Sequence, residues 1–204
     1  MTFSTIDFFV IAAFVGYVAG SIPFGLLLTK IAGAGDIRSI GSGNIGATNV
    51  LRTGRKGLAA GTLLLDGLKG VAVVLLGATQ SVDIAAVAGL AAVLGHNFPV
   101  WLKFKGGKGV ATTVGVLLAI SWPVGTAFCA TWLIVFAISR YSSLAALIAL
   151  AASPVYAYFM FNISVTVLAA ILGALGIARH HANIRRLLRG EESRFTRARN
   201  DDPR

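Results

Sequence analysis

A chain of 204 residues that is 56% hydrophobic and 13% charged, with mean hydropathy +0.79, is no ordinary soluble domain, since those run nearer ~45–50% apolar and ~25% charged. Its long apolar runs mark an all-α integral membrane protein built as one domain. The net charge of +10 does not point to nucleic acid, because the basic residues are not interleaved with stacking aromatics and lie at the ends of apolar segments, as topology determinants, lipid-surface contacts and anion ligands.

The first apolar segment runs over about residues 6–32. Gly16, Gly20, Ser21 and Gly25 allow close helix packing there, and Pro23 should kink it. A polar loop follows over 36–56. Segments two and three span about 57–79 and 84–100, with a turn at 80–83 between them. As a single helix, 110–138 would be roughly 43 Å long at about 1.5 Å per residue, against a hydrocarbon core of ~30 Å; Trp122-Pro123 is the expected break. By the same arithmetic 141–178 would be roughly 57 Å, and a break is expected near Phe161-Asn162.

Charge chooses among the topologies. With every break a real reversal, all Lys and Arg except Lys69 fall at one set of segment ends, and the turns near 80–83, 121–123 and 161–164 carry none. That is the positive-inside pattern. It predicts seven transmembrane helices with the N-terminus outside and the C-terminus cytoplasmic. A single span over 110–138 would put the Arg-rich tail outside, and a five-segment alternative needs an overlong last helix. The membrane domain is expected over 1–192, with 193–204 a charged, disordered cytoplasmic tail. Asp66 and Lys69 lie one turn apart inside segment two, where charges tend to pair, so they are assigned a structural role.

Four polar islands interrupt the apolar chain. Gly41, Gly43 and Gly46 match G-x-G-x-x-G, with Asp66 twenty residues on, but no strand precedes them and Asp66 sits in a membrane segment, so dinucleotide binding is excluded. What remains is a Gly-rich turn with Ser42, Asn44, Thr48, Asn49 and Arg52, a donor set for phosphate or carboxylate. The second island starts at Gly95-His96 and ends in Lys105-Gly106-Gly107-Lys108-Gly109. It is not a Walker A loop, because Gly109 stands where Ser or Thr would be. Its glycines would let backbone N–H groups converge on an anion ahead of a helix. The third island, Arg140 to Ser143, reads equally as an interfacial anchor. The fourth, Arg179 to Glu192, puts His180, Asn183 and Leu187 on one helical face and can also lie on anionic lipid. For the first two, the bland alternatives are a capped turn and a solvated loop.

No metal is expected, because the three histidines have no Cys or carboxylate partners at ligand spacing, and the lone Cys129 lies in an apolar run. No cofactor is called for either. A His-x4-Asp pair of the kind common in glycerolipid acyltransferases is missing.

The islands, taken together, resemble a known family. Gly-Ser-Gly-Asn-x-Gly-Ala-Thr-Asn (41–49) with Arg52, Gly-His-x-x-Pro (95–99) with Phe-Lys-Gly-Gly-Lys-Gly-Val-Ala-Thr (104–112), and His-x-x-Asn-Ile-x-Arg-Leu (180–187) with Gly-x-Glu (190–192) are similar to the three signatures of the bacterial acyl-phosphate:glycerol-3-phosphate acyltransferases, the PlsY family. The resemblance extends from about residue 8 to 192. It implies a seven-helix enzyme of the bacterial inner membrane, with its site facing the cytoplasm. The expected reaction moves a fatty acyl group from acyl phosphate to the sn-1 hydroxyl of glycerol 3-phosphate, giving lysophosphatidic acid and inorganic phosphate as the first acylation of phospholipid synthesis. The partners implied are those two substrates and membrane lipids, with no obligatory protein partner. By position, Ser42, Arg52, Lys108, His180 and Asn183 are the expected catalytic residues. Asn44, Thr48, Asn49, His96, Lys105, Gly106, Gly107, Gly109 and Ser143 are expected to bind substrate, and Glu192 to support the structure. No residue is an obvious general base, so the donor's own phosphate is expected to take the hydroxyl proton, with His96 or His180 as the alternative base. The competing function is a transporter for a phosphate-bearing anion.

Overall fold

The computed structural model of the protein describes residues 4–195. Among these the regular structure is helical, with no strand. Helix α1 (Thr5–Gly20) starts at a capping box, in which Ser4 and Asp7 satisfy each other's backbone N–H groups. It stops before Pro23, and α2 (Phe24–Ile31) resumes beyond it, so the expected kink is a full break. A polar stretch with the short α3 (Ala47–Leu51) leads into α4 (Lys56–Ala78), and then α5 (Val82–Asn97) runs to the second island.

The stretch over 110–138 divides where Trp122-Pro123 predicts, into α6 (Val110–Ile120) and α7 (Trp122–Ser139). Arg140, left-handed at φ 63°, turns the chain into α8 (Ser142–Met160). Asn162 caps α9 (Ile163–Arg179) through the Val165 N–H. After a bend of 61° comes α10 (His181–Leu188).

Among the described residues, five stretches are long and apolar enough to cross a membrane: Thr5–Ile31, α4, Val82–Leu102, α7 and α8. The bent α9–α10 pair makes a sixth, whereas α6 has only 11 residues. Large apolar side chains face outward, among them Phe14, Leu75, Ile138 and Phe159, the surface expected of a chain bathed in lipid. Inside, packing is by small residues. Gly16 and Gly20 of α1 sit on the Ala88 and Ala92 carbonyls of α5, and Gly115 of α6 sits on the Gly67 carbonyl of α4. A second core joins Leu117, Val124, Phe128, Leu150 and Val165 across α6 to α9. These contacts hold α1 against α5, α4 against α6, and α6 to α9 in one packed unit.

Of the tail expected from 193, residues 196–204 lie outside the described residues. Ser193 to Phe195 are held: the Phe195 N–H donates to the Arg140 carbonyl at 2.9 Å and its ring packs edge-on against Phe136.

Candidate active site

The first island folds back on itself. Gly41 adopts φ +55°, and a side chain there would press on Asn49 and on the Arg52 guanidinium. The Arg52 side chain thus lies across the turn, where its Nη2 donates to Ser193 Oγ at 2.8 Å. Asn49, expected to bind substrate, also holds the turn together. Its Nδ2 donates to the Ile37 and Ile40 carbonyls at 2.7 and 3.2 Å, and its Oδ1 accepts from the Ser42 N–H at 3.1 Å. Its amide is thus occupied in shaping the turn that presents Ser42. Thr48 ties the turn to α8 through Ser142, 3.3 Å away.

A second corner is organised by Glu192. One carboxylate oxygen accepts from Ser143 Oγ at 2.8 Å and from Asn183 Nδ2 at 2.7 Å, and the other accepts from Arg186 Nε at 2.6 Å. Asn183, so oriented, presents Oδ1 to Lys108 Nζ at 2.5 Å. The chain of contacts joins α8, α10 and the glycine–lysine loop. Burial opposes ionisation of Glu192, but the donors Asn183, Ser143 and Arg186 outweigh it and hold the carboxyl below its ordinary 4.5. Removing the carboxylate strands these donors together, a loss of about 3 kcal/mol. Glu192→Ala should accordingly lower the Tm of detergent-purified protein by about 6–12 °C at neutral pH. A group with a depressed folded pKa contributes stability above its unfolded value, and loses it as pH falls through the folded one. The Tm gap between wild type and variant should therefore close on acidification below about pH 4.5. An unchanged Tm at pH 7 would remove Glu192 from its structural place.

The glycine–lysine loop departs from the expected nest. The Gly106 N–H donates to the Asn97 carbonyl at 3.1 Å and the Gly107 N–H to the His96 carbonyl at 3.0 Å. These two N–H groups, expected to help converge on an anion, instead fasten the loop to the end of α5. Glycine is needed here for a different close approach, because a Cβ on Gly107 would collide with the His96 imidazole. From the other side Arg179 donates to the Gly106 and Gly107 carbonyls at 3.1 and 3.2 Å and stacks on Phe98. Behind the loop Asp66 and Lys69 pair at 2.7 Å, as their spacing predicts. Lys69 Nζ also lies 2.9 Å from the Ile22 carbonyl and 2.9 Å from His96 Nδ1.

Together these elements enclose a cavity of about 1040 Å³. Its polar end is lined by Ser42, Asn44, Thr48, Asn49, Arg52, Asp66, His96, Lys108, Gly109, Ser143, His180, Asn183 and Glu192, so all five expected catalytic residues meet there. Lys56, Arg140, Ser142, Ser193 and Arg194 add to the polar lining, and Leu64, Leu68 and Val71 of α4, Val114 and Leu118 of α6, and Cys129, Trp132 and Leu133 of α7 form an apolar wall. A second cavity of about 640 Å³, lined by Arg38, Lys103, Lys105, Gly106 and Arg179, touches the first at Ser42 and Asn44. Lys69 and Gly107 line neither and act from behind. Burial drives the Lys108 ammonium down to about 8, with Glu192 opposing and Arg186, Arg52 and Arg179 reinforcing. His180 is buried, and its Nδ1 lies 2.7 Å from the Gly176 carbonyl. A carbonyl only accepts, so Nδ1 carries the proton and Nε2 is left with a free lone pair. No group of three His, Cys, Asp or Glu that could hold a metal ion occurs among the described residues.

A family model for glycerol-3-phosphate acyltransferase matches residues 10–190. The chain belongs to the glycerol-3-phosphate acyltransferase family. A relative of that name from Paramagnetospirillum magneticum is 64% identical over 181 residues, covering 88% of this chain and 90% of the relative. Another, from Rhodospirillum rubrum, is 56% identical over 194 residues, covering 91% and 90%. Crystal structures of PlsY (YgiH), an integral membrane glycerol 3-phosphate acyltransferase, superpose with TM-scores of 0.88 for the glycerol 3-phosphate form and 0.85 for the lysophosphatidic acid form. Sequence identities are 40% and 38%; each match covers 92% of this chain, and 96% and 95% of the respective structures. This acyltransferase therefore shares the architecture of an enzyme that holds a phosphate-bearing polyol in one form and its acylated product in another.

Three residues that brace the elements around the site carry no distinguishing signal in the sequence. Arg179 was one of several basic residues at a helix end, and nothing in the sequence singles out the one that braces the loop. Tyr17 and Trp101, which donate to the Phe98 and Ser21 carbonyls at 2.8 Å each, look like any interfacial aromatics.

Proposed function

We propose that the chain transfers a fatty acyl group from acyl phosphate to the sn-1 hydroxyl of glycerol 3-phosphate. The observation that carries this is a single cavity with a cationic, donor-rich end and an apolar wall formed by α4, α6 and α7. The shape suits a donor with a phosphate head and an alkyl tail. The polar second cavity, meeting the first at Ser42 and Asn44, gives the soluble acceptor a path from water. Arg52 supplies a planar fork for a phosphate, and Lys108 adds a point charge.

Acyl phosphate is already activated. The sn-1 oxygen attacks its carbonyl carbon, the bond from that carbon to the bridging oxygen breaks, and the hydroxyl proton passes to a phosphate oxygen. The ester and inorganic phosphate leave. The protein's part is orientation and charge stabilisation. A second reading has one observation in its favour: the bare Nε2 of His180 could take the proton instead. No observation favours transport.

The same reading keeps seven crossings, with the basic ends in the cytoplasm of a bacterium and the protein in its inner membrane. Although α6 spans only about 16 Å, it pairs with α7 as a hairpin, so the direction of the chain is preserved and, among the described residues, every Lys and Arg except Lys69 remains on one side.

Donor choice tests the proposal. Purified protein with labelled glycerol 3-phosphate should form lysophosphatidic acid from palmitoyl phosphate and not from palmitoyl-CoA or acyl-carrier protein, with or without chelator. Comparable turnover from palmitoyl-CoA would sink it. A pH dependence follows as well. If the protonated ammonium of Lys108 engages phosphate, kcat/KM should fall as pH rises through about 8, since that parameter reports the free enzyme. Lys108→Arg should push this limb out of the accessible range. A limb that stays put in the variant would assign it to another group.

A further inference from the structure

Asp66 and Lys69 are a charged pair that the proposed chemistry does not use. Both side chains are 3% exposed, inside a helix that is long and apolar enough to cross the membrane. Charges there are costly and tend to have a purpose. Lys69 carries three N–H donors and no acceptor. Its three neighbours within hydrogen-bond distance are the Asp66 carboxylate, the Ile22 carbonyl and His96 Nδ1. The first two can only accept. An ammonium paired with a carboxylate has its third N–H left for His96 at 2.9 Å, whereas Asp66 Oδ1 lies 3.6 Å from the same Nδ1, beyond hydrogen-bond reach, so Nδ1 is the acceptor. The neutral imidazole then carries its proton on Nε2.

We propose that Asp66 and Lys69 are positioning residues that lock His96 as the Nε2–H tautomer, a hydrogen-bond donor facing an anionic oxygen of the bound phosphate compound. His96 is buried and lines the large cavity, and Nε2 is the ring atom nearest to where a Cβ on Gly107 would stand. It therefore stands beside the loop that carries Lys108. The two buried histidines are set oppositely: Gly176 leaves Nε2 of His180 an acceptor, whereas Lys69 makes Nε2 of His96 a donor. His96 cannot then be the base, and it supplies without charge a donor that the fastened loop N–H groups do not. The nature of the bound oxygen rests on the reading under Proposed function; the tautomer does not.

The test is nitrogen-15 NMR of the full chain, labelled at histidine, in detergent at pH 7. His96→Gln identifies the His96 signals by their loss. The expected spectrum has a bare Nδ1 and a protonated Nε2 at His96, and the reverse at His180. Adding inorganic phosphate should move the His96 Nε2–H signal. Lys69→Met should shift His96 toward a mixture of tautomers and lower kcat at least tenfold. Where that variant fails to fold, His96→Gln keeps the buried pair and offers an amide N–H; it should retain at least tenfold more kcat than His96→Ala. A protonated Nδ1 on His96, an imidazolium, or a phosphate titration that leaves its Nε2–H signal unmoved would overturn the proposal. The spectrum needs no turnover, so an inactive donor would count against the acyl-phosphate reading and leave this one standing.

Discussion

Arg52→Ala should collapse kcat by about 10²–10³, the loss that follows when a donor to developing transition-state charge is removed. Arg52 lies across the first island against Gly41 and reaches Ser193, at the polar end of the large cavity. Its guanidinium can bridge two oxygens of the leaving phosphate, whose charge grows as the bond to the acyl carbon breaks. The interaction strengthens in the transition state, so the loss should appear in kcat rather than only in KM. Arg52→Lys should recover little, because an ammonium cannot reproduce the planar fork. Saturation curves for both substrates on monodisperse protein decide it. A variant with normal kcat and a raised KM would make Arg52 a uniform binding residue.

The second large effect belongs to Gly107→Ala. The added methyl points into the His96 ring, and the Gly107 N–H fastens the loop to the His96 carbonyl. Something must shift: the imidazole, the loop that carries Lys108, or both. Losing the equivalent of one charge-assisted hydrogen bond, about 1.5–3 kcal/mol, predicts a loss of roughly 10- to 150-fold in kcat/KM for glycerol 3-phosphate. The route of the effect is also testable. In a His96→Ala background the methyl has room, so Gly107→Ala should add little, and the two changes should be strongly non-additive. Additive losses would mean that the glycine serves something other than His96.

Much of this was legible because it is local. The breaks at Trp122-Pro123 and Phe161-Asn162, the pairing of Asp66 with Lys69, and the grouping of polar residues into islands all follow from spacing and hydropathy. What was hidden depends on partners far along the chain. The N–H groups of Gly106 and Gly107 look free until the end of α5 is seen to accept them. Nothing in the sequence says that Lys69 has a third partner 27 residues on, or that Ser193 reaches Arg52. That the Asn49 amide holds the turn through Ile37 and Ile40 is equally invisible, because an amide that shapes a turn and one that binds a substrate have the same composition.

The most direct measurement follows one oxygen atom. Acyl phosphate can be attacked at carbon or at phosphorus, and the account requires attack at carbon by the sn-1 hydroxyl. Purified protein given palmitoyl phosphate labelled with oxygen-18 at the bridging position, together with glycerol 3-phosphate, should place the label in inorganic phosphate and none in lysophosphatidic acid, the two forming in equal amounts. Label recovered in free palmitate, with a second phosphate on the glycerol, would show phosphoryl transfer and contradict the account.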